Sequence, residues 1–134
     1  VAYYVLIFDL FGAEILMDKF KMGEESAKKT KKSTMVVESH ITYNQELKEG
    51  DEVDVNLLYF DHDKKRLQYK LEIIHKEKKF LASTIEILSL YVDLDQRKVS
   101  EFEDEKIVIM KEFIKSNSQK FKNDNLVFSN KLKK

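Results

Sequence analysis

The stretch that decides the fold is TMVVESHITY, residues 34–43. Its side chains alternate between an apolar set, Met35, Val37, Ile41 and Tyr43, and a polar set, Thr34, Glu38, His40 and Thr42. This two-residue period and the β-branched content predict a strand with one buried face. Gly50 and Asp51 then form a turn signal, and a second alternating run begins directly after them.

Three further strands are predicted at residues 52–60, 66–75 and 80–93, joined by the polar turns DHDKK and KEKK. The inward face of the 66–75 strand is predicted to carry Leu67, Tyr69, Leu71 and Ile73. The 80–93 strand has apolar residues on both faces, which predicts a central strand or one covered by a partner subunit. Glu86 stands among these apolar residues, and a carboxylate in such a place needs a hydrogen-bonding partner.

The first twenty residues, VAYYVLIFDLFGAEILMDKF, predict one long buried helix. No N-cap residue precedes it, so the natural chain is expected to extend upstream. A membrane span is disfavoured because Asp9, Glu14 and Asp18 interrupt the run. Asp9 is predicted to lie on a covered face of the helix. A carboxylate there would be bonded to nearby backbone or would serve an active site.

The rest of the chain is more polar. Residues 24–33, EESAKKTKKS, are expected to form a mobile loop. Residues 103–115 predict an amphipathic helix with a stripe of Ile107, Met110 and Ile114. Residues 1–116 are therefore expected to form a single α+β domain. Residues 117–134 are expected to be a lysine-rich tail that is weakly ordered or packed on the surface.

Composition narrows the function classes. Twenty-four basic residues balance twenty-four acidic ones in 134 residues, so no net field favours nucleic acid or an anionic membrane. The chain contains no cysteine, which excludes disulfides and thiolate chemistry and is compatible with a reducing cytoplasm. Three scattered histidines make a zinc site improbable, so no metal site is expected.

The order of several short motifs is informative. A helix opening on AYY and carrying FD is followed by HITY, an acidic-Leu pair and GD, and the last strand reads LASTIEILSLYVD. Together these motifs resemble the hotdog-fold acyl-CoA thioesterases of the 4-hydroxybenzoyl-CoA thioesterase type. Within that group the chain is most similar to thioesterases associated with carnitine and betaine breakdown. The resemblance spans residues 1–97.

The resemblance implies a curved antiparallel sheet wrapped around one long helix, with active sites at the interface of a homodimer or a dimer of dimers. It implies hydrolysis of an acyl thioester, with coenzyme A as part of the substrate and no other cofactor. The family's attacking carboxylate lies in a loop ending in Gly-His-x-Asn. That loop and the strand before it would lie upstream of Val1.

The resemblance also suggests roles within the chain. The backbone N–H of Val1 matches a donor that polarises the thioester carbonyl, and Asp9 matches a helix carboxylate that does the chemistry in some relatives. Tyr4 matches an aromatic residue lining the pocket, although core packing would explain it equally.

Three other residues are candidates for substrate binding. His40 is a candidate acyl contact or proton shuttle, and the alternative is a polar residue on the outer face of a strand. Arg66 and Arg97 are candidates for binding the phosphates of coenzyme A, since a guanidinium group forms bidentate hydrogen bonds to phosphate. Either arginine could instead be solvated.

Two rival functions remain open. A hotdog dehydratase or isomerase acting on acyl thioesters usually relies on a His near a Gly-Pro turn, and this chain has no proline. A non-enzymatic protein that binds lipids or acyl groups is the other alternative.

Overall fold

A computed structural model describes residues 2–134, apart from the side chains at positions 2, 3, 5 and 13–15. Helix α1 begins as an α-helix at Ala2–Asp9, continues as a π-helix at Leu10–Leu16 and ends with an α-helical turn at Met17–Lys19. Apolar residues along its length enter the core, among them Tyr4, Phe8, Leu16 and Met17. The predicted long helix is therefore confirmed over residues 2–19, with a wider π segment in its middle. Only one side of it is buried, since Leu6 and Leu10 are 60% and 47% exposed.

Gly12 lies inside the π segment, at a point where the sheet comes very close to the helix. A Cβ atom at this position would lie 2.7 Å from the hydroxyl oxygen of Tyr69 on the facing strand. A larger residue would force apart two buried surfaces.

Helix α2, Glu24–Thr30, lies where the sequence predicted a mobile loop at residues 24–33, so that prediction is wrong. Glu24 and Glu25 occupy its first turn and Lys28 and Lys29 its last, an arrangement that complements the helix dipole. Lys31 ends the helix in the left-handed conformation, with φ of 59°. A seven-residue polar helix has no apolar stripe to reveal it, and only its end charges were available as a signal.

The sheet is antiparallel and contains β1 (Lys32–Tyr43), β2 (Val53–His62), β3 (Arg66–His75), β4 (Leu81–Asp93) and the two-residue β5 (Lys98–Val99). The spatial order is β1-β4-β3-β2, and β5 pairs with β4. The four predicted strands are confirmed, and β4 is central as its two apolar faces suggested. Helix α1 packs on one face of this sheet, as the resemblance implied.

The core lies between α1 and the inner face of the sheet. All four residues predicted to point inward from β3 are buried: Leu67, Tyr69, Leu71 and Ile73. Ile85, Ile87 and Tyr91 of β4 face the same core.

Strand β1 departs from its prediction. Met35, Val37 and Tyr43 were predicted to be buried but are 51%, 40% and 48% exposed, and only Ile41 of that set packs against the core. The physical reason is that β1 is an edge strand, and the register shifts between Val36 and Glu38. A single chain leaves this apolar edge uncovered.

Helix α3, Asp104–Asn117, confirms the amphipathic helix predicted at residues 103–115, with Met110 fully buried. Its amino end is held by the Glu103 carboxylate, which accepts hydrogen bonds from the Tyr91 hydroxyl at 2.7 and 3.1 Å. Glu103 also pairs with the buried Lys106 at 3.4 Å. Although burial alone would raise it, the Tyr91 hydrogen bond and the Lys106 charge hold the pKa of Glu103 below its usual range.

The C-terminal tail crosses the outer face of the sheet. The Lys122 N–H donates to the Leu58 carbonyl at 2.8 Å, and Lys131 pairs with Glu38 on β1 at 3.9 Å. Phe128 is 5% exposed although it lies outside the main core. The tail is thus packed on the surface, and the division of the chain at residue 116 stays a prediction.

Glu86 provides the main attachment for this tail. Its two carboxylate oxygens accept hydrogen bonds from the backbone N–H groups of Val127 at 2.7 Å and Phe128 at 2.8 Å. The Gln68 side-chain amide donates to the same carboxylate at 2.9 Å. The partner that Glu86 required is therefore a segment of the chain 41 to 42 residues away.

In the part of the chain that the structure describes, no helix has the length and apolar character needed to cross a membrane.

Candidate active site

The amino end of α1 is tied to the loop that follows β1. The Tyr4 hydroxyl donates to the Gln45 carbonyl at 2.8 Å and accepts from the Leu47 N–H at 2.9 Å. The Tyr4 ring is 8% exposed and stacks on Tyr43, with centroids 5.7 Å apart. These contacts place the first turn of the helix beside the end of β1.

The loop itself, residues 44–52, is anchored at both ends. Asn44 and Gln45 donate their N–H groups to the Ala82 carbonyl at 2.9 and 3.2 Å. At the other end the Asp51 carboxylate accepts from the Lys48 N–H at 2.7 Å. That hydrogen bond is the main cause that lowers the pKa of Asp51.

His75 continues this second anchor. Its Nε2 lies 3.5 Å from the Asp51 carboxylate, and its Nδ1 accepts from the Lys78 N–H at 3.0 Å. Nδ1 accepts from a backbone donor and Nε2 faces the Asp51 carboxylate, so the ring joins two turns and neither nitrogen is placed to act as a general base. The Asp51–His75 pair is therefore structural.

Glu46 is a carboxylate that sequence reasoning did not single out as a site residue. It is exposed, and it lies between the two residues whose backbone groups bind the Tyr4 hydroxyl. The sequence signal was the acidic-Leu pair after HITY, but its closeness to the helix depends on a contact across more than forty residues. Tyr43, about half exposed, offers an aromatic face at the same end.

Asp9 does not lie on a covered face, and the prediction of its burial is wrong. It is exposed at the junction where the α-helical part of α1 gives way to the π segment. Burial, with the Asp9 charge as the second cause, raises the pKa of Tyr69 well above its usual range. Asp9 lies about 10 Å along the axis from the amino end of its own helix, at 1.5 Å per residue. Its catalytic role stays a prediction.

The remaining candidates lie apart from the amino end of α1. His40 is exposed on β1, in register with Glu86, and so occupies the face that the tail crosses. Arg66 donates to the Asp63 carboxylate at 3.0 Å, and Arg97 is exposed in the turn before β5 with φ of 54°. Val1 lies outside the described residues. The substrate-binding roles of His40 and the two arginines stay predictions.

Among the side chains that the structure describes, no three or more His, Cys, Asp and Glu residues are arranged to hold a metal ion.

Comparison with known proteins assigns the fold to a family. The family model of the thioesterase-like superfamily matches residues 1–114. A search of curated proteins found no match.

Several solved structures are similar to this chain. The protein SAV2348 from Staphylococcus aureus, solved in complex with CoA, is 22% identical, with a TM-score of 0.73 over 94% of this chain and 75% of that one. The DHNA-CoA thioesterase from Staphylococcus aureus is 17% identical, with a TM-score of 0.73 over 88% and 79%. The 1,4-dihydroxy-2-naphthoyl-CoA thioesterase Slr0204 from Synechocystis is 16% identical, with a TM-score of 0.63 over 73% and 72%.

At these identities the solved structures show a shared fold, and the match of the family model covers most of the chain. The family model matches residues 1–114, and this range contains the curved antiparallel sheet and the long helix on its inner face. The chain belongs to the thioesterase-like superfamily of hotdog-fold proteins.

Proposed function

We propose that this protein hydrolyses acyl-CoA thioesters to a free acid and coenzyme A. The observation that carries the proposal is the amino end of α1, fixed beside the loop at residues 44–52 in a chain of the thioesterase-like superfamily. Thiol release from a panel of short, branched, aromatic and cationic acyl-CoAs tests it. Turnover on one class supports hydrolysis, whereas binding without turnover on every class contradicts it.

The chemistry follows from the helix end. The first N–H groups of a helix have no partners within the helix, and the dipole favours negative charge there. These groups, with the Val1 N–H as one candidate, polarise the thioester carbonyl and stabilise the oxyanion that forms when water adds. The carbon–sulfur bond then breaks, and the coenzyme A thiolate takes up a proton. The reaction requires no cofactor beyond the coenzyme A of the substrate.

A carboxylate must activate the water. Asp9 is one candidate, and the other is a carboxylate contributed from outside the described residues. Replacing Asp9 with Asn decides between them, since loss of turnover places the chemistry on the helix and retained turnover excludes it from Asp9.

The acyl group we propose is small and cationic, of the carnitine or betaine kind. The motif resemblance supports this, as do the half-exposed Tyr43 ring, which stacks on the buried Tyr4, and the exposed Glu46 near it. Aromatic faces and a carboxylate both attract a quaternary ammonium group. Betainyl-CoA and its uncharged isostere 3,3-dimethylbutyryl-CoA differ mainly in that charge. We expect a preference for betainyl-CoA of about 10-fold that falls in Glu46→Gln.

We further propose a homodimer, or a dimer of dimers, in which β1 edges from two copies form a continuous sheet. Met35 and Val36 are 51% and 55% exposed on this edge, and edge strands with apolar side chains favour pairing. Sedimentation should give a dimer for the native chain and a monomer for Val36→Lys. Val127→Lys, at a 47% exposed tail position, is the matched control. A native monomer at micromolar concentration contradicts the assembly.

We place the protein in the cytoplasm, and the absence of cysteine supports this location.

A further inference from the structure

The Tyr4 hydroxyl forms an unusual link between distant parts of the chain. The hydroxyl donates a hydrogen bond to the Gln45 carbonyl at 2.8 Å and accepts one from the Leu47 N–H at 2.9 Å. A single side chain on the first turn of α1 therefore holds two backbone groups of a loop 41 and 43 residues away. Such a contact fixes both distance and orientation, because each hydrogen bond constrains a different direction.

The loop is a firm point of attachment. Ala82 at the start of β4 accepts from two of its N–H groups, and the Asp51–His75 pair holds its far end. Leu47 also packs against the core. The loop is therefore fixed to the sheet, and the two hydrogen bonds of Tyr4 fix the first turn of the helix to the loop.

The helix needs this attachment at its amino end. Its carboxyl end is held in the core by Leu16, Met17 and Phe20, but the π segment Leu10–Leu16 lies between the two ends. A π segment departs from the regular α-helical register, so packing at one end does not by itself fix the other. The segment Ala2–Asp9 therefore depends on its own contacts, which are Phe8 in the core and, nearer the amino end, the Tyr4 hydroxyl on the loop.

We propose that Tyr4 is a positioning residue for thioester hydrolysis. It acts through the helix, by holding the free N–H groups of the first turn where the oxyanion develops. This role differs from the pocket-lining role that the resemblance suggested, because the hydroxyl is committed to the loop. The proposal rests on the proposed function, since it assumes that the reaction takes place at this end of α1.

The test compares the native protein with Tyr4→Phe, which keeps the ring and its stacking and removes the hydroxyl. Displacing oxyanion donors by a fraction of an ångström to 1 Å costs about 10- to 100-fold in kcat. We expect that loss with KM changed by less than about threefold, because the ground-state substrate contacts remain. Hydrogen exchange of the Leu47 amide should become faster in the same variant, independently of any activity.

Tyr59→Phe is the matched control, because it removes a hydroxyl bonded at 3.3 Å to Asp61 on β2, far from the amino end of α1. It should keep its kcat and lose less thermal stability than Tyr4→Phe, because it breaks one long hydrogen bond whereas Tyr4→Phe breaks two short ones. A Tyr4→Phe protein with faster Leu47 exchange but unchanged kcat overturns the positioning role. A raised KM with unchanged kcat also overturns it, in favour of direct substrate contact. A native protein that releases no thiol refutes the proposed hydrolysis itself, whereas an active native protein with fully active Tyr4→Phe refutes only the positioning role.

Discussion

Replacing Glu86 with Gln should release the C-terminal tail from the sheet. The native carboxylate is 1% exposed and uses both oxygens to hold the Val127 and Phe128 N–H groups, with Gln68 as a third donor. An amide offers one acceptor oxygen where the carboxylate offers two. At least one backbone N–H then faces an NH₂ group and loses its partner.

The magnitude follows from these contacts. A hydrogen bond to a charged group contributes about 1.5–3 kcal/mol, and a buried donor left unpaired costs about 1–3 kcal/mol. Removing a buried charge offsets part of this loss, because the carboxylate no longer has to be desolvated. We expect the docking of the tail to weaken by about 2–3 kcal/mol in free energy. That change corresponds to about a 30- to 150-fold rise in the undocked fraction.

Hydrogen exchange and limited trypsin digestion measure this fraction. In Glu86→Gln the amides of residues 127–128 should exchange faster, and cleavage after Lys122 should accelerate by a similar factor. Glu38→Gln is the matched control, since this half-exposed carboxylate makes only a 3.9 Å ion pair with Lys131 and contributes little. Equal protection of residues 127–128 in Glu86→Gln and the native protein would refute the reasoning.

Two further predictions concern packing and pH. Gly12→Ala should lower the free energy of unfolding by about 1–3 kcal/mol, because its Cβ would meet the Tyr69 hydroxyl at 2.7 Å. Tyr69→Phe should recover part of that loss in the double variant, and chemical denaturation showing additive losses would contradict the clash. Burial would raise the pKa of Asp63, but three backbone N–H groups, led by that of Lys133, and Arg66 hold it below the usual 3.8. Asp63 therefore stabilises the docked tail end above about pH 3.8, and this contribution is lost as pH falls through the lowered pKa. The Lys133 amide NMR signal should report this release, and Asp63→Asn should lack the acid transition.

The alternation of apolar residues in strands and their helical periodicity predicted most of the fold. Strand β3 was predicted with the bounds Arg66–His75 that the structure has, because its inward residues alternate without interruption and all are buried. The burial of β1 was not predictable from one chain, since alternation shows which side chains share a face but not whether anything covers it. Helix α2 was missed because its seven residues carry no apolar period.

The candidate site was less predictable because its contacts are distant in sequence. Tyr4 was a candidate pocket-lining residue, with core packing as the alternative. Its hydroxyl partners lie more than forty residues away, and no local sequence pattern predicts them. Glu46 entered the sequence analysis only as the acidic residue of the acidic-Leu pair that follows HITY. Asp9 was placed on a covered face because its helical neighbours there are apolar, but that face is uncovered in the single chain, where Leu6 and Leu10 are 60% and 47% exposed.

The measurement that tests the central claim most directly is turnover of the best acyl-CoA by the native protein in water enriched in ¹⁸O. Hydrolysis predicts one ¹⁸O atom in the released acid for each free coenzyme A thiol. If the protein binds acyl-CoA but releases no acid, the claim is contradicted and the protein is an acyl-binding protein. A hydrated, dehydrated or isomerised thioester with its carbon–sulfur bond intact would contradict it in favour of a dehydratase or isomerase.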